Sequence, residues 1–286
     1  MRTARTVAEV REALSGPRSD GARIGLVATM GALHEGHLSL VREARRACDV
    51  VVVSLFVNPA QFGPGEDLDS YPRDEAHDAE LLESEGVDLL FAPGADEVYP
   101  AGFATSVEVG ELTAVMEGDP QRRGPGHFSG VTTVVTKLLN IVGPRVAYFG
   151  QKDAQQAVVI RRMARDLDFP VEIEVLPTVR EPDGLAMSSR NRYHSDEERA
   201  RATGLSRALE SAREAAASGA SLDDALAAAR ERLASAGIEP EYVEARDAES
   251  LTPAQSFNGR PLLIALAAQV GPARLIDNVV IEGSEN

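Results

Sequence analysis

Residues 24–37 decide the fold, and they read Ile24-Gly25-Leu26-Val27-Ala28-Thr29-Met30-Gly31-Ala32-Leu33-His34-Glu35-Gly36-His37. The first six residues are largely apolar, which predicts a short buried strand. A turn that contains Gly31 follows, and residues 37–48 are then interpreted as a helix. A strand that leads through a glycine-bearing turn into a helix predicts an α/β fold.

Strands and helices alternate from this point to about residue 177. The predicted strands cover residues 24–29, 50–57, 87–92, 146–149 and 171–177. The predicted helices cover residues 37–48, 74–85, 131–142 and 153–166. This order predicts an α/β domain with a doubly wound, Rossmann-like parallel sheet.

The composition of the sequence changes after Pro177. Residues 178–184 include Glu-Pro-Asp-Gly and are interpreted as a hinge. Two helices rich in Ala, Arg and Glu are predicted at 196–218 and 222–236, the second with Ser221 as its N-cap. Strands are predicted at 241–245, 261–270 and 274–281. Helices followed by strands indicate a smaller α+β domain with an antiparallel sheet, so we expect domains at 1–178 and 179–286.

Composition limits the class of protein. The chain has 286 residues and a formal net charge of -16, from 29 Lys and Arg against 45 Asp and Glu. Its longest apolar stretches are far below the roughly 18 residues that cross a bilayer, and its first 14 residues do not resemble a secretory signal. We therefore expect a cytoplasmic protein without a membrane partner. The acidic balance argues against a nucleic-acid partner, because a phosphate backbone needs clustered cations.

The single cysteine is Cys48, which excludes an intrachain disulfide. It lies in a helical run, where a buried hydrophobic role is favoured over a nucleophile.

His34, Gly36 and His37 lie at the mouth of the first predicted helix. A helix N-terminus leaves backbone N–H groups unpaired and carries partial positive charge, so it attracts anions. Gly36 lets a base or a phosphate approach the backbone, and two imidazoles three residues apart can donate to one phosphate. These features suit the charge that develops on an α-phosphate during a displacement. Two alternatives stay open: histidines that only cap the helix, and a zinc site, although the spacing is not that of His-Glu-x-x-His.

Several motifs along the whole chain together resemble one family. They are Thr29-Met30-Gly31-Ala32-Leu33-His34-Glu35-Gly36-His37, Phe56-Val57-Asn58-Pro59 with Gln61-Phe62, Tyr71-Pro72-Arg73, Gly126-His127-Phe128 with Gly130-Val131, Phe149-Gly150-Gln151-Lys152-Asp153 with Gln155-Gln156, and Met187-Ser188-Ser189-Arg190-Asn191. The chain resembles the pantothenate synthetases, or pantoate:β-alanine ligases. That family belongs to the nucleotidyltransferase superfamily that carries the His-x-Gly-His signature.

The resemblance implies an ATP-dependent reaction in two steps, with Mg2+. Pantoate first attacks the α-phosphorus of ATP, which releases pyrophosphate and leaves pantoyl adenylate. The amine of β-alanine then attacks the adenylate, which gives pantothenate and AMP. The resemblance also implies a homodimer and a C-terminal domain that acts as a lid.

The resemblance assigns residues to ATP. The implied catalytic residues are His34, His37, Lys152, Ser188, Ser189 and Arg190. The implied ATP-binding residues are Met30, His34, Gly36, His37, Gly150, Lys152, Asp153, Met187, Ser188, Ser189 and Arg190. Composition alone would favour Lys152 as a surface cation. The loop at residues 187–190 could equally be a serine N-cap beside a surface arginine.

The resemblance also assigns residues to pantoate and the metal ion. The implied pantoate-binding residues are Gln61, Gln156, Asn58, Phe62, Met30 and Arg123, with Val134 as a further candidate for the apolar wall. Asp78 is the candidate that helps to hold Mg2+, directly or through water. The buried amides could equally be structural and satisfy loop backbone.

The sequence departs from the family pattern in two places. Ala28 replaces the usual proline before Thr-Met-Gly, so the loop loses a fixed φ and is expected to be less rigid. Residues 118–127 are longer than the usual segment, which leaves Arg122 and Arg123 as alternatives for the arginine on the pantoate side. Two other functions stay open. One is a nucleotidyltransferase that leaves the nucleotide on a phosphate acceptor, and the other is an ATP-binding sensor without turnover.

Overall fold

The computed structural model describes residues 1–282, which divide into two units. The first unit comprises Met1–Gly150 and Val159–Pro177. The second unit comprises Gln151–Val158 and the chain from Thr178 onward. Domains at 1–178 and 179–286 stay a prediction, and the structure groups the short stretch Gln151–Val158 with the second unit.

A six-stranded sheet forms the centre of the first unit. Its strands are β1 (Arg2–Ala4), β2 (Ile24–Thr29), β3 (Val50–Leu55), β4 (Leu89–Phe91), β5 (Val146–Gly150) and β6 (Glu172–Leu176). All pairs are parallel, in the order β1-β4-β3-β2-β5-β6. The chain winds outward from β2 to β4 and then crosses back to β5 and β6. The predicted doubly wound sheet is confirmed, and its switch point lies between β2 and β5, where such sheets bind ligands.

Helices connect and flank the strands of this sheet. They are α1 (Val7–Ala13), α2 (Ser15–Ser19), α3 (Glu35–Ala47), α4 (Glu75–Ser84), α5 (Ala95–Val98), α6 (Pro125–Val142) and α7 (Ala154–Asp166). In β3, Val52 packs into the core that contains the apolar residues of α6, whereas Val51 and Val53 pack into the core that contains α3. Because both faces are buried, the strand is a continuous β-branched run. Cys48 is buried at the end of α3, as expected.

The start of α6 was predicted wrongly. The helix begins at Pro125 and not at residue 131, and it ends where Gly143 adopts a left-handed conformation with a φ of 54°. Gly130 lies inside it, at a position where an added Cβ would come 2.2 Å from the carbonyl oxygen of Ala60. A glycine in a helix normally weakens it, but here only glycine permits this close approach.

The short elements β1, α1, α2 and α5 were not predicted from the sequence. Helix α1 is stabilised by a capping box, in which Thr6 accepts from the backbone N–H of Glu9 and Glu9 accepts from the backbone N–H of Thr6.

The second unit is an α+β domain, as predicted. It contains α8 (Asp196–Ala217), α9 (Leu222–Ser235), β7 (Pro240–Asp247), β8 (Leu262–Val270) and β9 (Ala273–Ile281). The strands form an antiparallel sheet in the order β7-β8-β9, and its buried face packs on α8 and α9. The Ser221 hydroxyl accepts from the backbone N–H of Asp224, which confirms the predicted N-cap. Among the helices of residues 1–282, none is both long enough and apolar enough to cross a membrane.

Candidate active site

The two histidines of the first motif lie together at the start of α3. His34 is the N-cap, and its Nδ1 accepts from the backbone N–H of Gly36 at 3.1 Å. The ring centroids of His34 and His37 are 4.1 Å apart. Because Nδ1 of His34 accepts, the proton of the neutral ring lies on Nε2. The capping role expected as an alternative is therefore real for His34, and it orients the ring through Nδ1.

A buried carboxylate shapes the loop that leads to these histidines. Asp78 of α4 accepts from the backbone N–H groups of Ala32 and Leu33, both at 2.8 Å. Gly31 and Ala32 adopt left-handed φ values of 84° and 52°. Ala32 has a Cβ, so this conformation is strained and needs external support. Asp78 supplies that support.

Asp78 is poorly suited to hold Mg2+ directly. Its side chain is 1% exposed, and each of its carboxylate oxygens already accepts a backbone hydrogen bond. Burial raises its pKa, and the two backbone N–H groups oppose that shift. Within residues 1–282, no group of three or more His, Cys, Asp or Glu side chains could hold a metal ion. The zinc alternative therefore has no such group of side chains to support it among those residues.

The candidate pantoate residues after β3 form a connected group in the first unit. The Nδ2 of Asn58 donates to Oε1 of Gln61 at 3.0 Å and to the carbonyl oxygen of Gly130 at 3.1 Å. The Oδ1 of Asn58 accepts from the Tyr99 hydroxyl at 2.7 Å. Gln61 in turn places its Nε2 3.1 Å from the sulfur of Met30. The side chain of Asn58 is buried, and both its Nδ2 and its Oδ1 make hydrogen bonds. It therefore orients the Gln61 amide so that Nε2 of Gln61 is the donor that faces Met30.

The apolar candidates occupy different places. Phe62 packs edge-on against Tyr71, with ring centroids 5.9 Å apart. Val134 is buried in the main core beside β2 and β5. Phe62 thus lies next to Gln61, whereas Val134 packs in the hydrophobic core.

His127 and two charged residues brace the chain after Gln61. The Nδ1 of His127 lies 2.8 Å from the carbonyl oxygen of Gln61, and its Nε2 lies 3.2 Å from Arg123. Arg123 also makes two hydrogen bonds to Glu66, at 2.9 and 2.6 Å. Arg122 donates to the carbonyl oxygen of Met116 at 2.8 Å. Arg123 thus contacts the segment that follows Gln61, through Glu66.

Lys152 belongs to a short turn at Gln151–Asp153, in the second unit. Its ammonium group lies 3.6 Å from a carboxylate oxygen of Asp153, and its side chain is 22% exposed. The turn is held by Asn278 of β9, whose side chain donates to the carbonyl oxygens of Gln151 and Lys152. Gln156 follows in the first turns of α7 and is half-buried.

The serine-rich motif forms a five-residue 3-10 helix, Ser189–Tyr193. Ser188 is its N-cap and accepts from the backbone N–H of Arg190 at 3.3 Å. Asn191 is buried and donates to Glu181 and to the carbonyl oxygen of Ala186. The serine cap expected as the simpler alternative is present, and the segment around it is firmly anchored in the second unit.

The structure thus places the predicted residues in two groups. The first unit holds Met30, His34, Gly36, His37, Asn58, Gln61, Phe62, Asp78, Arg123 and Gly150, and the second holds Lys152, Asp153, Gln156, Met187, Ser188, Ser189 and Arg190. Sequence reasoning gave no role to Tyr99, His127 or Asn278. The sequence carried a signal for Asn278, because Asp277 and Asn278 are adjacent polar residues between the apolar pairs Leu275-Ile276 and Val279-Val280.

Comparison with known proteins decides the family. A family model described as pantoate-beta-alanine ligase matches residues 2–280. The chain belongs to the pantoate-beta-alanine ligase family. The curated pantothenate synthetase of Moorella thermoacetica is 53% identical over 284 residues, 99% of each chain. Members of this family are ligases, and so is this chain.

Solved structures of the same family share the fold. A pantothenate synthetase from Thermus thermophilus superposes with a TM-score of 0.92 at 52% identity, covering 98% of this chain and 99% of that one. A pantoate-beta-alanine ligase from Francisella tularensis, described as complexed with beta-gamma ATP and beta-alanine, gives a TM-score of 0.79 at 35% identity, over 98% and 97% of the two chains. The resemblance inferred from the motifs is confirmed.

Proposed function

We propose that this ligase joins pantoate to β-alanine through an acyl adenylate made from ATP. In the first step, a carboxylate oxygen of pantoate bonds to the α-phosphorus, and the bond from that phosphorus to pyrophosphate breaks. In the second step, the amine nitrogen of β-alanine bonds to the acyl carbon. The bond from that carbon to the AMP oxygen breaks, and the amine loses a proton. The products are pantothenate, AMP and pyrophosphate.

One observation carries this proposal: Gln61 touches Met30, and Met30 begins the loop that ends at His34. A donor for pantoate and a donor for the α-phosphate are thus linked through a single short loop at the switch point of the sheet. Adenylation requires these two reacting groups to meet in line. The Francisella relative is described as complexed with beta-gamma ATP and beta-alanine, which supports ATP and β-alanine as substrates here.

In the first step His34 and His37 stabilise the charge that grows on the α-phosphate. The N-terminus of α3 adds the positive end of its dipole. A single well-aimed donor of this kind contributes about 10²–10³-fold to turnover. Asn58 keeps the Gln61 amide in the orientation that offers Nε2 to a pantoate oxygen.

The remaining assignments follow the family resemblance. Lys152, Ser188, Ser189 and Arg190 bind the phosphates of ATP, and Gln156 contributes to pantoate binding. Ordered contacts in the second unit support a role for both phosphate-binding segments, because a site works best on a rigid base. A lid movement, a homodimer, a cytoplasmic location and the absence of nucleic-acid and membrane partners stay predictions from the sequence.

Mg2+ is proposed as a companion of the nucleotide. Such ions are held largely by substrate phosphates and water, with one or two carboxylates. Asp78 does not fit as a direct ligand, so no step is assigned through it.

The test is pantoate-dependent exchange of labelled pyrophosphate into ATP, with Mg2+ present and β-alanine absent. Exchange that requires pantoate is expected, because a reversible adenylate step reforms ATP. A folded protein that binds ATP but shows no exchange would contradict the proposal. It would then favour a transferase with another acceptor or a nucleotide sensor.

The chain offers a matched control for the lysine, since Lys137 and Lys152 are its only two lysines. We expect Lys152→Ala and His37→Ala each to lower turnover about 10²-fold or more with nearly unchanged folding. Lys137 lies over the ring of Phe103, 4.7 Å from its centroid, and Lys137→Ala is expected to keep normal turnover. Full turnover in both site variants would refute the assignments.

A further inference from the structure

Asn278 is a buried polar residue whose side chain reaches out of its own sheet to hold a distant turn. It lies in β9 and is 5% exposed. Its Nδ2 donates to the carbonyl oxygens of Gln151 and Lys152, both at 2.9 Å, and its Oδ1 accepts from Nε2 of Gln151 at 3.0 Å. Two carbonyl oxygens can only be met by the NH2 group, so the amide has one possible orientation.

The neighbouring residue anchors this point of β9. Asp277 is 2% exposed and makes two hydrogen bonds to Arg180, at 2.6 and 3.0 Å. It also accepts from the backbone N–H of Asn278 at 2.8 Å. A buried carboxylate bound by a guanidinium fork is a rigid support. The strand therefore cannot move at residues 277–278 without breaking this ion pair.

The turn that Asn278 holds is only three residues long. It is a 3-10 turn, Gln151–Asp153, between the end of β5 and the start of α7. The two carbonyl groups that Asn278 holds lie on either side of the Cα atom of Lys152. A long lysine side chain has much rotational freedom, so the direction of its first bond is set by this backbone.

We propose that Asn278 is a positioning residue that fixes the Lys152 turn so that the lysine can bind the phosphates of ATP. This inference rests on the phosphate-binding role proposed for Lys152. Asn278 has no contact with the substrates in this scheme. It acts only through the main chain of Gln151 and Lys152, and a displacement of about 1 Å at a binding group is enough to lower turnover up to 10²-fold.

A double-mutant cycle with Lys152 tests the inference. We expect Asn278→Ala to raise the KM for ATP or lower kcat by about tenfold or more, with less than about a twofold change in the KM for pantoate. In the Lys152→Ala background, Asn278→Ala should change neither the KM for ATP nor kcat any further, because the lysine that Asn278 positions is absent. Asn140→Ala is the matched control: this amide also donates to a backbone carbonyl, that of Thr136, but on the exposed side of α6.

A second measurement does not depend on activity. Hydrogen exchange of the peptide that covers residues 150–156 should be faster in Asn278→Ala, whereas the peptide around Lys137 should be unchanged. Asn278→Ser is the reserve variant, because a serine hydroxyl cannot reach both carbonyl groups. If both variants fail to fold, the inference is overturned, since a positioning residue must be dispensable for the fold.

The outcomes separate the two hypotheses. Normal turnover in Lys152→Ala would remove the proposed role of Lys152, whatever Asn278 does. Strong loss in Lys152→Ala together with fully additive effects of Asn278→Ala would leave that role intact and overturn the inference about Asn278.

Discussion

Acid should destabilise the protein through His127 as the pH falls from 7 to 5. The Nδ1 of His127 faces the carbonyl oxygen of Gln61, which can only accept, so Nδ1 carries the proton. Its Nε2 faces a guanidinium N–H of Arg123, which can only donate, so Nε2 must be bare. Burial lowers the pKa of His127 from 6.5 to about 4, and the charge of Arg123 acts in the same direction. The native state thus requires the neutral ring.

The sign and size of the effect follow from proton linkage. The unfolded chain binds a proton near the ordinary pKa of 6.5, whereas the folded chain does so only near a pKa of about 4. Stability is therefore fully present above the upper value and falls as the pH falls through this window. Between pH 7 and pH 5 the loss amounts to about 2 kcal/mol of unfolding free energy. The pKa of Glu66 is lowered, because Arg123 outweighs the opposing effect of burial, so Glu66 stays ionised over this range.

The assay is urea unfolding at pH 7 and pH 5, followed by circular dichroism because the chain has no tryptophan. The reference is His127→Asn, in which Nδ2 can still donate to Gln61 but the side chain does not titrate. The wild type should lose about 2 kcal/mol more than this variant between the two pH values. Equal losses in both proteins would refute the reasoning, because they would mean that His127 is already protonated in the native state or does not titrate in the unfolded one.

Three further predictions concern groups around the site. A short 3-10 turn at Pro59–Gln61 packs against Gly130. Gly130→Ala should destabilise the fold by about 2 kcal/mol or more, or displace this turn and raise the KM for pantoate, because the new Cβ would lie 2.2 Å from the carbonyl oxygen of Ala60. Tyr99→Phe should cost about 1 kcal/mol of unfolding free energy and raise the KM for pantoate but not for ATP, because it removes one hydrogen bond that orients the amides. Asp78→Ala should cost about 2–4 kcal/mol and lower kcat, because two buried N–H groups lose their acceptor and the histidine loop loses its support.

Controls for these variants come from the same elements. Gly126 lies in the first turn of α6 with open space around its Cα, so Gly126→Ala should not lower stability and should leave the KM for pantoate unchanged. Asp74→Ala, which removes only the N-cap of α4, should cost stability without lowering kcat. A kcat loss in Asp74→Ala as large as that in Asp78→Ala would show that α4 as a whole, and not its buried carboxylate, matters for turnover.

The fold followed from the sequence where apolar runs are long and bounded by turns. β3 is a β-branched run, and β2 ends at a glycine turn, so both predictions agree with the structure to within two residues. The start of α6 was missed because propensity argues against Gly126 and Gly130 in a helix. Only tertiary packing against the Pro59–Gln61 turn explains Gly130, and that contact spans a distance in sequence that no local pattern reveals.

The site was less accessible to sequence reasoning. Motifs pointed to His34, His37 and Gln61, and the structure shows how the rings and the amide are oriented. Asp78, which the sequence offered as a candidate to help hold Mg2+ directly or through water, supports a strained loop in the structure. The contacts of Asn278 and His127 join residues from distant parts of the chain, so no spacing rule could have found them.

The chain passes between the two units more than once, and this limits the positions at which segments of two homologues can be exchanged. The chain leaves the first unit after Gly150, returns at Val159 and leaves again after Pro177. A chimera of two homologues joined at a single point near residue 178 would therefore combine the Gln151–Val158 segment of one parent with the β9 of the other. Functional hybrids should need a double crossover that exchanges both pieces together, and a library with single junctions should be depleted of active members.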